Sequence, residues 1–229
     1  MESPLYNYNV PDNLFTIKDD SLIAAFKGLH TNHRVLELQN KLNDVNRDFN
    51  IAMFYFYRGI PDDEWKRSPG KDGLSVEFFP NFKEEHFSNQ YNFNYFVQIF
   101  FYKVTTLYEI IGHLIYDRFS LPINEKNQRD KISFNSAISK LKSQERNLHQ
   151  SLQMIKNSSN FRDGTKMRND IAHNQPAYEI SSSVTIKDGL TAFGTGSYTK
   201  SKEIKRTMIN YLQSVKETFM SLEQYLLKS

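Results

Sequence analysis

The chain has 229 residues, a formal net charge of +3, 14% aromatic residues and no cysteine. Its length is enough to bury a self-sufficient core, and the lack of cysteine excludes disulfides, thiolate metal ligands and a cysteine nucleophile. The mildly basic balance permits a phosphate-bearing partner without demanding one, and no run of about 18 apolar residues is present to span a membrane.

Residues 1–20 read as an irregular arm. The opening "MESPLYNYNVPDNLF" has no basic start followed by an apolar run, so a cytoplasmic protein is expected. From Arg34 to about Tyr57, Val35, Leu38, Leu42, Val45, Phe49, Met53 and Phe56 recur at spacings of three and four, the mark of an amphipathic helix. Gly59 and Pro61 end it. Residues 59–90, rich in proline, glycine and charge, read as a long loop of the kind that serves as a lid or is partly disordered. It holds Trp65 and the β-like run "LSVEFF".

A second helix is expected from about Asn89 to Phe119, with a stripe of Phe93, Phe96, Val97, Phe100, Val104, Leu107, Ile111 and Leu114. A third helical stretch runs from Lys131 to about Lys156, with a break near Ser143. Asp163-Gly164 reads as a turn, and Thr165 as the cap of a short helix ending at His173 or Asn174 before Pro176. A β-hairpin turning at Lys187-Asp188-Gly189-Leu190 occupies 181–199. A last helix spans about Lys202 to Leu227. The fold class is all-α: a bundle of four or more main helices with a small β-hairpin inserted before the last, forming a single domain over 1–229.

Several candidate sites carry little. "SPGKDG" at 68–73 lacks the second glycine and the strand-to-helix setting of a phosphate loop, and "GTGS" at 194–197 reads as turn glycine. His30 and His33 are spaced without the glutamate of a zinc motif, so no metal and no cofactor is expected. His86 and His149 read as solvated. Glu109, His113 and Asp117, four apart, share one helical face with Gln98, Tyr102, Thr105, Gly112 and Tyr116. That face is either a contact surface, between subunits or over a ligand, or a solvated face with charge pairs.

"MRNDIAHN" at 167–174 gathers the most chemistry. Arg168 and His173 lie about 140° apart on an ideal helix, whereas Asn169 and His173 share a face. A bend near Gly164 or Pro176 would bring Arg168 round. The arginine fork suits a phosphate, the histidine can exchange a proton, and the amide can position either. These are the minimal parts for cutting RNA without a metal, because RNA supplies its own 2′-hydroxyl nucleophile. The plain alternative pairs Arg168 with Asp163 or Asp170 and leaves His173 ending a helix.

The six residues 168–173 resemble the signature of the HEPN superfamily, an arginine followed by a histidine after four to six residues, often with Asn, Asp or His directly after the arginine. The match is Arg168, Asn169 and His173, with Ile171-Ala172 before the histidine. The resemblance implies a helical bundle and a homodimer whose two motifs face each other across a shared cleft. It also implies metal-independent endoribonuclease activity in many members, often in toxins or phage defence, with a cognate antitoxin or other protein partner. His173 is then the acid/base, Arg168 holds the scissile phosphate and Asn169 positions it. Glu109 or His113 supports them from the second helix, and Lys202, Lys205 and Arg206 either track the RNA backbone or are solvated residues at the start of the last helix. Other members have lost catalysis, which keeps a dimeric binding or scaffold module as the alternative.

Overall fold

The computed structural model describes residues 32–123, 131–187 and 190–226. The arm at 1–20, His30, the hairpin tip at Asp188-Gly189 and Leu227 lie outside them. Among the described residues six α-helices form the body: α1 (Asn32–Tyr57), α2 (Glu84–Phe119), α3 (Phe134–Leu141), α4 (Arg146–Asn157), α5 (Ser159–His173) and α6 (Ser201–Leu226). The strands are short antiparallel pairs: β1 (Lys66–Arg67) with β2 (Glu77–Phe78), and β3 (Ser182–Lys187) with β4 (Leu190–Thr195). The fold is all-α with a small β insertion before the last helix.

The 36-residue α2 is the central element. Arg34 reaches Asp117 at 3.2 Å, Lys103 reaches Asp48 at 2.6 Å, and Asn89 Nδ2 donates to the Gly59 carbonyl at 3.1 Å. Numbers rise on one helix as they fall on the other, so α1 lies antiparallel to α2. The apolar stripe of α1 is buried as its periodicity predicts. Helix α2 carries buried groups around much more of its surface, because α1 covers one side and α3, α5 and α6 cover others. Gly112 is one reason α3 comes so near. A Cβ there would sit 2.5 Å from the Phe134 amide nitrogen and 2.6 Å from the Ser133 carbonyl carbon. Ser133 caps α3, its Oγ accepting from the Ser136 amide at 3.1 Å.

Two boundaries differ from the sequence reading. Helix α2 starts at Glu84, so the connecting loop ends at Lys83 and not at 90. Residues 84–90 are mostly polar and show no apolar period, but Glu84 and Glu85 suit the positive end of a helix dipole. The loop is also pinned rather than free. Asp62, buried, accepts from the Tyr198 hydroxyl at 2.6 Å, the Ser201 amide at 2.7 Å and the Ser201 Oγ at 2.9 Å. This ties the loop to the start of α6. Trp65 stacks on Phe78 and packs against Tyr198.

The second correction concerns α5. Asp163-Gly164 is not a turn, and Thr165 does not begin a helix. The helix starts at Ser159, and the Ser158 Oγ caps it by accepting from the Phe161 amide at 3.3 Å. Phe161, Gly164, Met167 and Ile171 face the core at helical spacing. Gly164 is a packing residue: it lies flat against the Tyr211 ring of α6. The break near Ser143 is present, separating α3 from α4. Among the described residues, no helix is long and apolar enough to cross a membrane.

Candidate functional site

Helix α5 lies along α2 with its chain direction reversed. Phe161 meets Tyr108, Arg168 lies over Tyr102, and Tyr178, just beyond the helix, approaches Gln98. This places the Arg168–His173 segment beside the middle of the central helix.

Arg168 is half-buried. Its guanidinium carbon stands 6.0 Å from the Tyr102 ring centre, and its Nη1 donates to the Asn169 Oδ1 at 3.0 Å. Its Nε is buried without a hydrogen-bond partner. Neither acidic neighbour in sequence holds it; Asp170 instead accepts from the Asn174 side-chain amide at 2.9 Å. The arginine charge thus has no ion pair with Asp163 or Asp170.

Glu109, about two turns along α2 from Tyr102, is the acid that feels Arg168. Burial raises its carboxyl above the ordinary value of 4.5, and the Arg168 charge partly opposes that rise. The neutral acid is thus favoured by the fold. Its stabilising contribution is complete below about pH 4.5 and is lost as pH climbs through the raised folded value. Glu109→Gln, a permanent mimic of the neutral acid, should melt at a higher temperature than wild type at pH 7.5. The difference should close below about pH 4.5, as read by thermal melts across that range. A lower melting temperature at pH 7.5 would instead make the Arg168 attraction the larger effect.

His113 is carried elsewhere. It lies one turn beyond Glu109 toward the start of α1, among Arg34, Asp117 and Glu37. Burial, aided by Arg34, lowers its basicity, and its Nδ1 is buried without a partner. The structure thus brings Glu109, but not His113, to Arg168.

His173 is exposed in the last turn of α5. The helix is unbroken from Ser159 to His173, so no bend swings Arg168 toward it. Within one chain the two side chains leave the helix about 140° apart. Asn169 shares the exposed face of His173, and its Oδ1 accepts from Arg168.

The cations at the start of α6 have other partners. Lys202 Nζ pairs with Asp63 at 2.6 Å, and Lys205 Nζ lies 4.5 Å from the Phe56 ring centre and 5.0 Å from that of Tyr57. Arg206 is exposed. Two features here were missed in the sequence. One is the aromatic stripe Phe87, Tyr91 and Tyr95 on α2, with Tyr91 74% and Tyr95 53% exposed. The other is a groove beside Asn169, of about 520 Å³, between α3, α4 and α5. A four-residue spacing of Tyr91 and Tyr95 was there to find the first; the truncated α5 concealed the second.

Of the Glu109, His113 and Asp117 face, Gly112 and Tyr116 are covered within the chain. Tyr116 donates to the Ser136 Oγ of α3 at 3.0 Å. Gln98 and Tyr102 remain exposed.

No curated protein and no solved structure matches the chain. The profile of the Cthe2314-like HEPN family matches residues 35–226. That span takes in the body of the helical bundle and the whole of α5. The chain therefore belongs to the Cthe2314-like HEPN family.

Proposed function

We propose that the protein is a metal-independent endoribonuclease of HEPN type that works as a cytoplasmic homodimer in a toxin or phage-defence setting, with an antitoxin or other protein as its regulator. One observation carries this reading. An exposed His173 ends α5, while Arg168, which forms no ion pair with Asp163 or Asp170, sits on the same helix but points elsewhere, toward Tyr102 and Glu109. One chain holds both groups without assembling them. A second copy facing the first supplies the missing half to each site.

The chemistry needs only these groups and the RNA. His173 takes the proton of a 2′-hydroxyl, whose oxygen attacks the adjacent phosphorus. The bond from phosphorus to the 5′-oxygen breaks, and that oxygen takes up the proton held by His173, leaving a 2′,3′-cyclic phosphate and a 5′-hydroxyl. Arg168 holds the charge on the non-bridging oxygens. Asn169 fixes the arginine, and Glu109 restrains it from the α2 side. His113 acts from farther off, and Lys202, Lys205 and Arg206 add positive charge where the strand leaves the site.

If each site joins Arg168 of one chain to His173 of the other, two dead variants should rescue each other. Arg168→Ala and His173→Ala protein, mixed and allowed to exchange subunits, should recover about a quarter of wild-type cleavage, since half of the dimers carry one intact site of two. A mixture as inactive as its parts would confine each site to a single chain.

A second reading is a non-catalytic dimeric binding or scaffold module. The exposed Phe87, Tyr91 and Tyr95 stripe favours it, because amphipathic rings of this kind are typical of protein contact surfaces.

A further inference from the structure

The exposed face of α5 carries a pattern that extends beyond the proposed active site. Arg162, Lys166, Asn169 and His173 fall at i, i+4, i+7 and i+11, which places them within about 60° of one another around the helix axis. All four are exposed. Together they run roughly 16 Å along the helix, longer than a single phosphate group. Arg168, by contrast, leaves the helix well away from this stripe, toward Tyr102 and Glu109.

The start of the stripe is one wall of the groove between α3, α4 and α5. The groove is lined by Lys156 and Asn157 at the end of α4, Asn135 of α3, and Arg162, Lys166 and Asn169 of α5. Three cations thus stand against one carboxylate there, Asp163. None of the three cations forms an ion pair among the described residues, in contrast to Lys202 and Lys103, which both do. Three amide side chains add donors and acceptors of the kind that bind phosphate and ribose oxygens. An open groove with cations that form no ion pair among the described residues, with amide side chains beside them, suits an extended anionic chain better than a small molecule.

We propose that this groove binds the sugar–phosphate backbone of single-stranded RNA and leads the strand along α5 to His173. Lys156, Arg162 and Lys166 contact successive phosphates, and Asn135 and Asn157 contact ribose oxygens. The proposal rests on the ribonuclease reading for what happens at His173, but the binding itself does not depend on cleavage.

The test separates the two. In a His173→Ala background, which prevents turnover, binding of a fluorescein-labelled single-stranded RNA of mixed sequence is followed by anisotropy at several salt concentrations. The added pair Arg162→Gln and Lys166→Gln should weaken binding and flatten the dependence of log affinity on log salt by about 1.4, at about 0.7 per lost phosphate contact on a single strand. Both residues are exposed, so circular dichroism should show an unchanged fold. The same pair placed in wild-type protein should slow cleavage by raising KM more than it lowers kcat.

An unchanged slope overturns the groove, as does a slope that flattens only for the rival pair Lys202→Gln and Lys205→Gln. Absence of any RNA binding overturns it as well. Groove-dependent binding by a protein whose wild type never cuts RNA upholds the groove and removes the ribonuclease. Cleavage by wild type that the groove pair leaves untouched does the reverse.

Discussion

His173→Ala should lower RNA cleavage by roughly 10²–10⁴-fold, the usual worth of a positioned general acid–base group. Folding stability should stay within about 0.5 kcal/mol of wild type, because the side chain is exposed and truncating it opens no cavity. The split between the two readouts is what gives the variant its force. A residue at the end of a helix can matter simply by terminating it, but here the termination has other supports. The Asn174 amide donates to the Asp170 carbonyl at 3.0 Å, and the Asn174 side chain holds the Asp170 carboxylate. His173→Gln is the companion variant. It keeps a polar side chain but cannot exchange a proton near neutral pH, so it should be as inactive as alanine. If glutamine restored cleavage, the histidine would be a hydrogen-bonding residue and not an acid–base one.

Gly164→Ala should cost the fold about 2 kcal/mol. A Cβ there would lie 2.2 Å from the Tyr211 Cγ, 2.4 Å from its Cδ2 and 2.6 Å from its Cδ1. The ring has nowhere to go. Tyr211 is 1% exposed and stacks with Phe101 and Tyr108 while Phe161 meets it edge-on. Overpacking of this kind costs up to about 3 kcal/mol or more. Alanine recovers about 1 kcal/mol of helix propensity over glycine. For a chain of this size the remainder corresponds to a drop of roughly 4–8 °C in melting temperature. Because α5 carries Arg168, Asn169 and His173, the same substitution should also reduce cleavage by lifting the helix from α6. A raised melting temperature would show that propensity outweighs the contact and that the seam between α5 and α6 has slack.

Gly164 also shows where the sequence could be read and where it could not. The long helices were legible because each buries a continuous stripe: Val35 to Met53 in α1, Phe93 to Leu114 in α2 and Ile204 to Leu222 in α6. Helix α5 was harder. It has few large apolar residues, and the pair Asp163-Gly164 has the chemistry of a turn. Nothing in the local sequence says that glycine is there to admit a ring from a helix almost fifty residues later. The misplaced helix start had a further cost. With α5 beginning at Thr165, Arg162 lay outside the helix, and its alignment with Lys166, Asn169 and His173 was invisible.

Residue types together with the likeness to the HEPN signature singled out Arg168, Asn169 and His173 in the sequence. The geometry of this motif was not legible. The sequence left open whether a bend joins Arg168 to His173, and the unbroken α5 shows that none does. Glu109 and His113 stood as alternatives on one polar face of α2, and the folded chain brings Glu109 to Arg168. The divergence of His113 toward Arg34 depended on how α1 packs, which no local pattern encodes. The α6 cations looked free in sequence. Their partners Asp63, Phe56 and Tyr57 come from segments well over a hundred residues away, so only the folded chain reveals them.

The most direct measurement is cleavage itself. Purified wild-type and His173→Ala protein are incubated with mixed RNAs in excess EDTA, and the new RNA ends are identified chemically. Cuts made by wild type alone, leaving 2′,3′-cyclic phosphate and 5′-hydroxyl ends, are the predicted result. Cleavage that EDTA abolishes, or that His173→Ala protein carries out as well as wild type, would contradict it.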